Sequence, residues 1–210
     1  LPIWEDRRKF NKFRPQYTLG YNLIKGLNLK DKKILDLGSG MGEFSMMLKK
    51  MGGNVTCSDS VDKCIDSTKK YGFNTYKIDL DNGSLPFKDS SFDVLVSLEV
   101  IEHIWNTQNY LNEIRRVTKP GGIFILTTVN YNYITYRIRH LLGRFESFMS
   151  LRHKRFFTVK TFSHSCEKIM KIKKIIAATN IPYFRTCIFY NFVNLIGYDM
   201  GILGMNKKKK

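Results

Sequence analysis

Through the middle of the chain, short unbroken apolar runs alternate with stretches whose apolar residues recur every three or four positions. Residues 33–37 (KILDL), 54–58, 74–78, 92–98 (FDVLVSL) and 123–128 (IFILTT) read as strands. Residues 43–51, 61–71 and 108–118 carry helical spacing, and Gly52-Gly53, Gly72 and Pro120-Gly121-Gly122 stop those helices. Strands that are apolar on both sides, joined by helices of this length, imply right-handed crossovers and a parallel sheet covered on both faces. Beyond the fifth strand, 131–142 and 161–170 read as helices, with 172–177 and 201–205 as the sixth and last strands. The opening segment, with Pro15 near a helix start, reads as a helix to about Leu27 over the sheet edge.

At 210 residues with 43% apolar content, the chain suits one domain with a full core. Residues 1–32 form its helical cap, 33–130 its core, and 131–210 the substrate-side helices and last two strands. Cys57, Cys64, Cys166 and Cys187 show neither C-x-x-C pairing nor zinc spacing, and they read as reduced thiols of a cytoplasmic protein. Residues 1–13 are charged, unlike an apolar leader. The stretch 187–205 is the candidate for membrane contact. Its Asn191, Asn194 and Asp199 favour instead a short helix followed by the buried last strand.

The net charge of +17 is unevenly spread. Residues 34–130 carry ten Lys/Arg against twelve acids, whereas 131–210 carry sixteen against three and 1–33 nine against three. The core is thus near neutral and its flanks are basic. That asymmetry suits a polyanionic partner or a membrane surface, and equally a solvated lysine-rich exterior.

The turn after the first strand is Asp36-Leu37-Gly38-Ser39-Gly40-Met41-Gly42-Glu43. Glycines there admit positive φ and clear side chains from a ligand that meets backbone directly. The G-x-G-x-G spacing is tighter than the dinucleotide G-x-G-x-x-G, and with Glu43 opening the helix it suits a ligand without phosphate. Asp59 ends the second strand, 23 residues beyond Asp36, where a carboxylate can accept both ribose hydroxyls or cap the next helix. Asp79 and Asp81 follow the third strand, where an adenine amino group needs an acceptor, and the spacing does not separate them.

These residues resemble the class I S-adenosylmethionine-dependent methyltransferases over roughly 33–130. ILDLGSGMGEFS resembles the first motif, Ser58-Asp59 the ribose acid, LPFKDSSFDVLVSLEVIEHI the stretch through strand four, and LNEIRRVTKPGGIFILTT the following helix and strand. The resemblance implies a three-layer Rossmann-like α/β sandwich, its seven-stranded, mostly parallel sheet ordered 3-2-1-4-5-7-6. It implies S-adenosylmethionine held at Asp36, Gly38, Ser39, Gly40, Gly42, Asp59, Ser60, Asp79, Leu80, Asp81 and Leu98.

Just past strand four lies Glu99-Val100-Ile101-Glu102-His103. On a helical turn, positions i, i+3 and i+4 share a face, so Glu99, Glu102 and His103 would converge as catalytic groups able to take a hydroxyl proton. The pattern also suits a plain helix start, with acids favoured by the dipole. E-x-x-E-H resembles two metal-using branches of the family, the ubiquinone-pathway O-methyltransferases and the small-RNA 3′-end 2′-O-methyltransferases. The latter implies a further ligand, His153 within RHKRFFT, so that Glu99, Glu102, His103 and His153 would hold Mg²⁺ or Mn²⁺. Val129 stands where those relatives have Pro, and Thr18 where the ubiquinone branch places Arg. His140 and His164 read as surface or packing residues, and Phe156, Phe157 and Phe162 as helix packing.

The expectation is an S-adenosylmethionine-dependent methyltransferase acting on oxygen of a small-molecule acceptor, in a pocket walled by 131–157 and the N-terminal helix. The alternatives are an RNA 2′-O-methyltransferase whose basic flanks track phosphates and a non-catalytic methyltransferase-like binding protein.

Overall fold

A computed structural model describes residues 15–81, 83–144, 152–178, 186–187 and 197–207. Its elements are α1 (Pro15–Ile24), β1 (Lys33–Leu37), α2 (Glu43–Lys50), β2 (Asn54–Asp59), α3 (Asp62–Lys70), β3 (Asn74–Lys77), β4 (Phe92–Leu98), α4 (Thr107–Val117), β5 (Thr118–Val129), α5 (Ile134–Leu141), α6 (Val159–Glu167), β6 (Met170–Ala178), β7 (Thr186–Cys187) and β8 (Asp199–Asn206). A single 3₁₀ turn, Ile101–His103, lies between β4 and α4.

The sheet order is β3-β2-β1-β4-β5-β8-β6-β7. Setting aside the two-residue β7 at the edge, this is the expected 3-2-1-4-5-7-6. The first five strands run parallel, and β8 inserts antiparallel between β5 and β6. β1 feeds β2 on one side and lies beside β4 on the other, so the chain reverses its winding there. Ligands of such sheets bind at the carboxyl ends beside that reversal.

Both faces are covered. Along β4, Val94, Val96 and Leu98 join α1 and α2 in one apolar cluster, while Leu95 joins α4 and α6 in the other. That alternation is the strand period of two applied to a sheet with no wet face. Cys57 and Cys166 are buried free thiols and Cys64 is a half-buried one.

Several boundaries differ from the sequence reading, three of them with a clear physical reason. The opening helix ends at Ile24 and packs across β4, β5, β8 and β6 rather than over an edge. Its Leu19, Leu23 and Ile24 are buried, and Gly20 permits the approach, since a Cβ there would lie 2.7 Å from the Phe44 ring. Strand five begins at Thr118, with the Pro120-Gly121-Gly122 turn inside it. Thr118 pairs with Phe92 and Ile123 with Val94, so the intervening residues bulge out around Gly121 at φ 73°. The later helix starts at Val159, where Thr158 and Thr161 form a reciprocal capping box, and it stops before Met170. Of the stretch 187–205, the short helix expected before the last strand lies outside the described residues. Among the described residues no helix is long and apolar enough to cross a membrane.

Candidate active site

Residues 38–42 carry the chain from β1 into α2 with all three glycines at positive φ, 77°, 54° and 89°. Each glycine answers a different need. A Cβ on Gly38 would lie 2.4 Å from Val100 Cγ2, and one on Gly42 would lie 3.0 Å from Thr68 Cγ2, so both close protein packing. A Cβ on Gly40 would meet nothing within 4 Å among the described residues, so packing against them does not account for this glycine. The loop is tied to β2 by Gly38 N and Ser39 N, which both donate to Ser58 O. Asp59 adds a clamp: its Oδ2 accepts from Gly40 N at 2.9 Å and its Oδ1 from Val61 N at 3.0 Å. The carboxylate thus closes the turn before α3, and Asp59 is among the residues that line the cleft.

An open cleft of about 430 Å³ lies at the carboxyl ends of β1 to β4. Gly38, Asp59, Ser60, Asp79, Leu80 and Asp81 line it as expected, together with Ser58, Ile78, Val100, Ile104, Arg152 and Lys154, which the sequence reading missed. Asp36, Ser39, Gly40, Gly42 and Leu98 are outside this lining. Asp36 lies beneath the loop, 2% exposed, where Ser45 Oγ donates to its Oδ2 at 2.5 Å. Burial pushes its carboxyl up to about 7 against that hydrogen bond, with the Asp59 charge adding to the rise. Leu98 is buried toward α1, near Gly20.

The two acids after β3 have separate duties. Asp81 Oδ1 accepts from Trp105 N at 2.6 Å, and its Oδ2 pairs with the Lys154 ammonium, which also lies 5.4 Å from the centre of the Trp105 ring. Burial alone would raise Asp81, but Lys154 and the Trp105 and Asn106 amides outweigh it and hold the carboxyl below its usual range. Asp81 thus anchors residues 152–157 across the cleft. Asp79 lines the cleft and accepts from Asp81 N at 3.0 Å.

The same crossing segment completes the cluster of Glu102, His103 and His153. Glu102 O accepts from both Lys154 N and Arg155 N, and Arg152 O accepts from His103 Nδ1 at 3.0 Å. His153, between those ties, is carried against His103 with ring centroids 4.9 Å apart. One ligand atom each from Glu102, His103 and His153 lie within 4.8 Å of one another. Glu102 is 1% exposed, with Oε2 accepting from Thr128 Oγ1 and Oε1 enclosed without a partner among the described residues.

Glu99 departs from the expected convergence and is not in that trio. It sits at φ 56°, outside the 3₁₀ turn, so the i, i+3, i+4 geometry of a helix is not made. Its carboxyl is hydrogen bonded to Asp199 of β8, which no local sequence signal marked. Burial raises Glu99, Glu102 and Asp199, and the Glu99 charge further raises the other two. Burial first, then the neighbouring His103, lowers His153. Behind the trio a small cavity of about 20 Å³ is lined by Glu102, Val129, Tyr131, Tyr136, His153, Arg155, Phe156 and Phe157. Of the expected packing aromatics, Phe157 and Phe162 are buried and Phe156 is exposed, while His140 lies against Tyr131.

A family model described as a methyltransferase domain matches residues 35–126. Over those residues the chain resembles the class I S-adenosylmethionine-dependent methyltransferases. The ubiquinone biosynthesis O-methyltransferase of Rickettsia bellii is 36% identical over 126 residues, which are 58% of this chain and 52% of that protein. Norajmaline N-methyltransferase of Rauvolfia serpentina is 31% identical over 119 residues, 53% of this chain and 41% of that protein. The chain therefore spans about half the length of the curated relatives it matches. In fold, it superposes on an S-adenosylmethionine-dependent methyltransferase from Thermotoga maritima with a TM-score of 0.72 at 22% identity, covering 98% of this chain and 96% of that one. The cleft and the Glu102-His103-His153 cluster share one wall, since Glu99 and His103 line the cleft.

Proposed function

We propose that this chain transfers the methyl group of S-adenosylmethionine to a hydroxyl of a small-molecule acceptor. The observation that carries the reading is the shared wall. Glu99 and His103 face the donor cleft, while Glu102 and His153 face the aromatic cavity, and the two imidazoles touch between them. In-line displacement at a sulfonium methyl needs acceptor, methyl and sulfur aligned at contact distance. The aromatic cavity beside the cleft, about 20 Å³, would have to open to admit an acceptor, and its Tyr and Phe walls would then meet a flat apolar one. The name of the Rickettsia relative supports oxygen as the atom methylated.

The residues of the cluster can manage the acceptor's proton. His103 Nδ1 donates to Arg152 O, which leaves Nε2 as the basic nitrogen. Glu102, raised by burial, is a stronger base near neutral pH than an exposed carboxylate. The unpartnered Glu102 oxygen and two imidazoles also fit a divalent cation such as Mg²⁺ or Mn²⁺, held by Glu102, His103 and His153 with Glu99 beside them. Such an ion would lower the pKa of the acceptor hydroxyl.

The test is transfer of labelled methyl to a panel of phenols, aliphatic alcohols and amines, with and without a chelator. Methylation of a hydroxyl, lost on chelation and restored by Mg²⁺ or Mn²⁺, is expected. Transfer to amines alone would overturn the oxygen assignment, and indifference to the chelator would leave Glu102 and His103 as proton-transfer groups.

A further inference from the structure

The crossing segment Arg152-His153-Lys154-Arg155 brings its cations to two different places. Arg152 and Lys154 line the donor cleft, where the Lys154 ammonium is paired with Asp81. Arg155 lies on the other side and lines the aromatic cavity with Tyr131, Tyr136, Phe156 and Phe157. That cavity is graded from inside to outside. Glu102 in its depth is buried, whereas Arg155 and Phe156 are exposed and form its rim.

Two bonds hold Arg155 at that rim. Its backbone N–H donates to Glu102 O at 3.1 Å, and its Nη2 donates to Trp105 O at 2.7 Å. A plain tie between the segment and Trp105 would explain the second bond, but a neutral amide would make it as well. It occupies one of five guanidinium N–H groups. Among the described residues no carboxylate pairs with Arg155. Glu102 lines the same cavity, yet its Oε2 accepts from Thr128 and its Oε1 has no partner among the described residues, so it does not take the guanidinium. Arg116 is the contrast, since its fork is filled by two carboxylates and two carbonyls of the chain itself. A fixed cation at the rim of an aromatic cavity, with no anion of the protein's own, suits a ligand that carries one.

We propose that the acceptor is an aromatic hydroxy acid, its carboxylate held by the Arg155 guanidinium at the cavity rim and its hydroxyl turned toward His153 beside the donor cleft. The inference rests on the O-methylation reading above and names the substrate class of that site. Guanidinium and carboxylate are both planar, carry one charge each and match through paired hydrogen bonds. Once the cavity opens, the ring of such an acid meets the tyrosine and phenylalanine walls. The hydroxyl oxygen then bonds to the methyl carbon, the carbon–sulfur bond breaks with its electron pair left on S-adenosylhomocysteine, and the hydroxyl proton passes to Glu102 or His103.

Transfer of labelled methyl to monohydroxybenzoates and a dihydroxybenzoate, each beside its uncharged amide, tests it. The wild-type protein is expected to methylate at least one acid with kcat/KM about tenfold or more above that of its amide, the scale of one charged hydrogen bond. Arg155→Gln keeps a donor for Trp105 O but removes the charge and the fork, and it is expected to abolish that advantage, chiefly through the KM of the acid. Equal use of acid and amide by the wild-type protein would overturn the proposal and leave O-methylation standing. An advantage that survives in Arg155→Gln would overturn the role of Arg155, and so would equal losses on acid and amide. Transfer to none of these acids overturns the substrate class whatever the broader panel of phenols and alcohols shows, and transfer to no hydroxyl in either panel overturns both readings. Should Arg155→Gln fail to fold or to turn over, Arg155→Lys must raise the KM of the acid more than that of the amide, and equal changes there overturn the proposal.

Discussion

Gly38 and Gly40 stand two residues apart in one loop and answer to different masters. Gly38 gives way to Val100, so a side chain there disturbs the fold, whereas Gly40 faces open space at φ 54°. Gly40→Val should therefore abolish S-adenosylhomocysteine binding in calorimetry while the sheet persists by circular dichroism. Unchanged affinity in a folded variant would remove the loop from the donor site. Asp59 ties Gly40 N and Val61 N and also lines the cleft. Asp59→Ala should weaken donor binding by about 1.5–3 kcal/mol, the scale of hydrogen bonds to a charged group. A change below about twofold, well under that scale, would reduce Asp59 to a turn residue.

Among the elements, the segment between β3 and β4 most needs support, because residues 83–91 run to the core through Leu85 without a strand or helix of their own. Arg116 of α4 supplies that support. Its guanidinium donates to Leu85 O, Phe87 O, Asp89 and both oxygens of Glu113, at 2.8–2.9 Å. A planar fork makes this set and an ammonium cannot. Arg116→Ala should cost about 1–3 kcal/mol in urea unfolding, and Arg116→Lys should recover less than half of it. Full recovery by Lys would mean that charge alone matters here. Residues 152–157 are held comparably, by Glu102 O and Asp81, and that is why His153 reaches His103.

At the scale of the whole molecule, the buried acids set how stability responds to pH. Asp36 keeps its proton up to about 7 in the folded protein, while in the unfolded chain it ionises near its ordinary value of about 4. Between those values the folded state binds the extra proton, so stability falls as pH rises and levels off above about 7. Glu99, Glu102 and Asp199, also raised, act in the same direction. Asp36→Asn should flatten the slope of unfolding free energy against pH in this window by up to about 1.4 kcal/mol per pH unit, one proton's worth. Parallel slopes in variant and wild type would show that Asp36 is ionised in both states.

The parallel half of the sheet and the donor loop were legible in the sequence because their signals are local. Apolar runs, helix stops and the spacing of Gly38, Gly40 and Asp59 act within a few residues or one crossover, and the seven long strands stand in the order that the family resemblance implied. The Glu102-His103 pair was legible for the same reason, although the helical turn expected to add Glu99 is a 3₁₀ turn with Glu99 outside it. What only the tertiary structure decided are meetings between distant parts of the chain. Asp81 is claimed by Lys154, His153 is drawn in by backbone bonds to Glu102, and Asp199 arrives through the pairing of β8 with β5. No local period encodes such meetings. They follow from which surfaces pack and which backbone groups must find partners, and those are settled only when the whole sheet has closed.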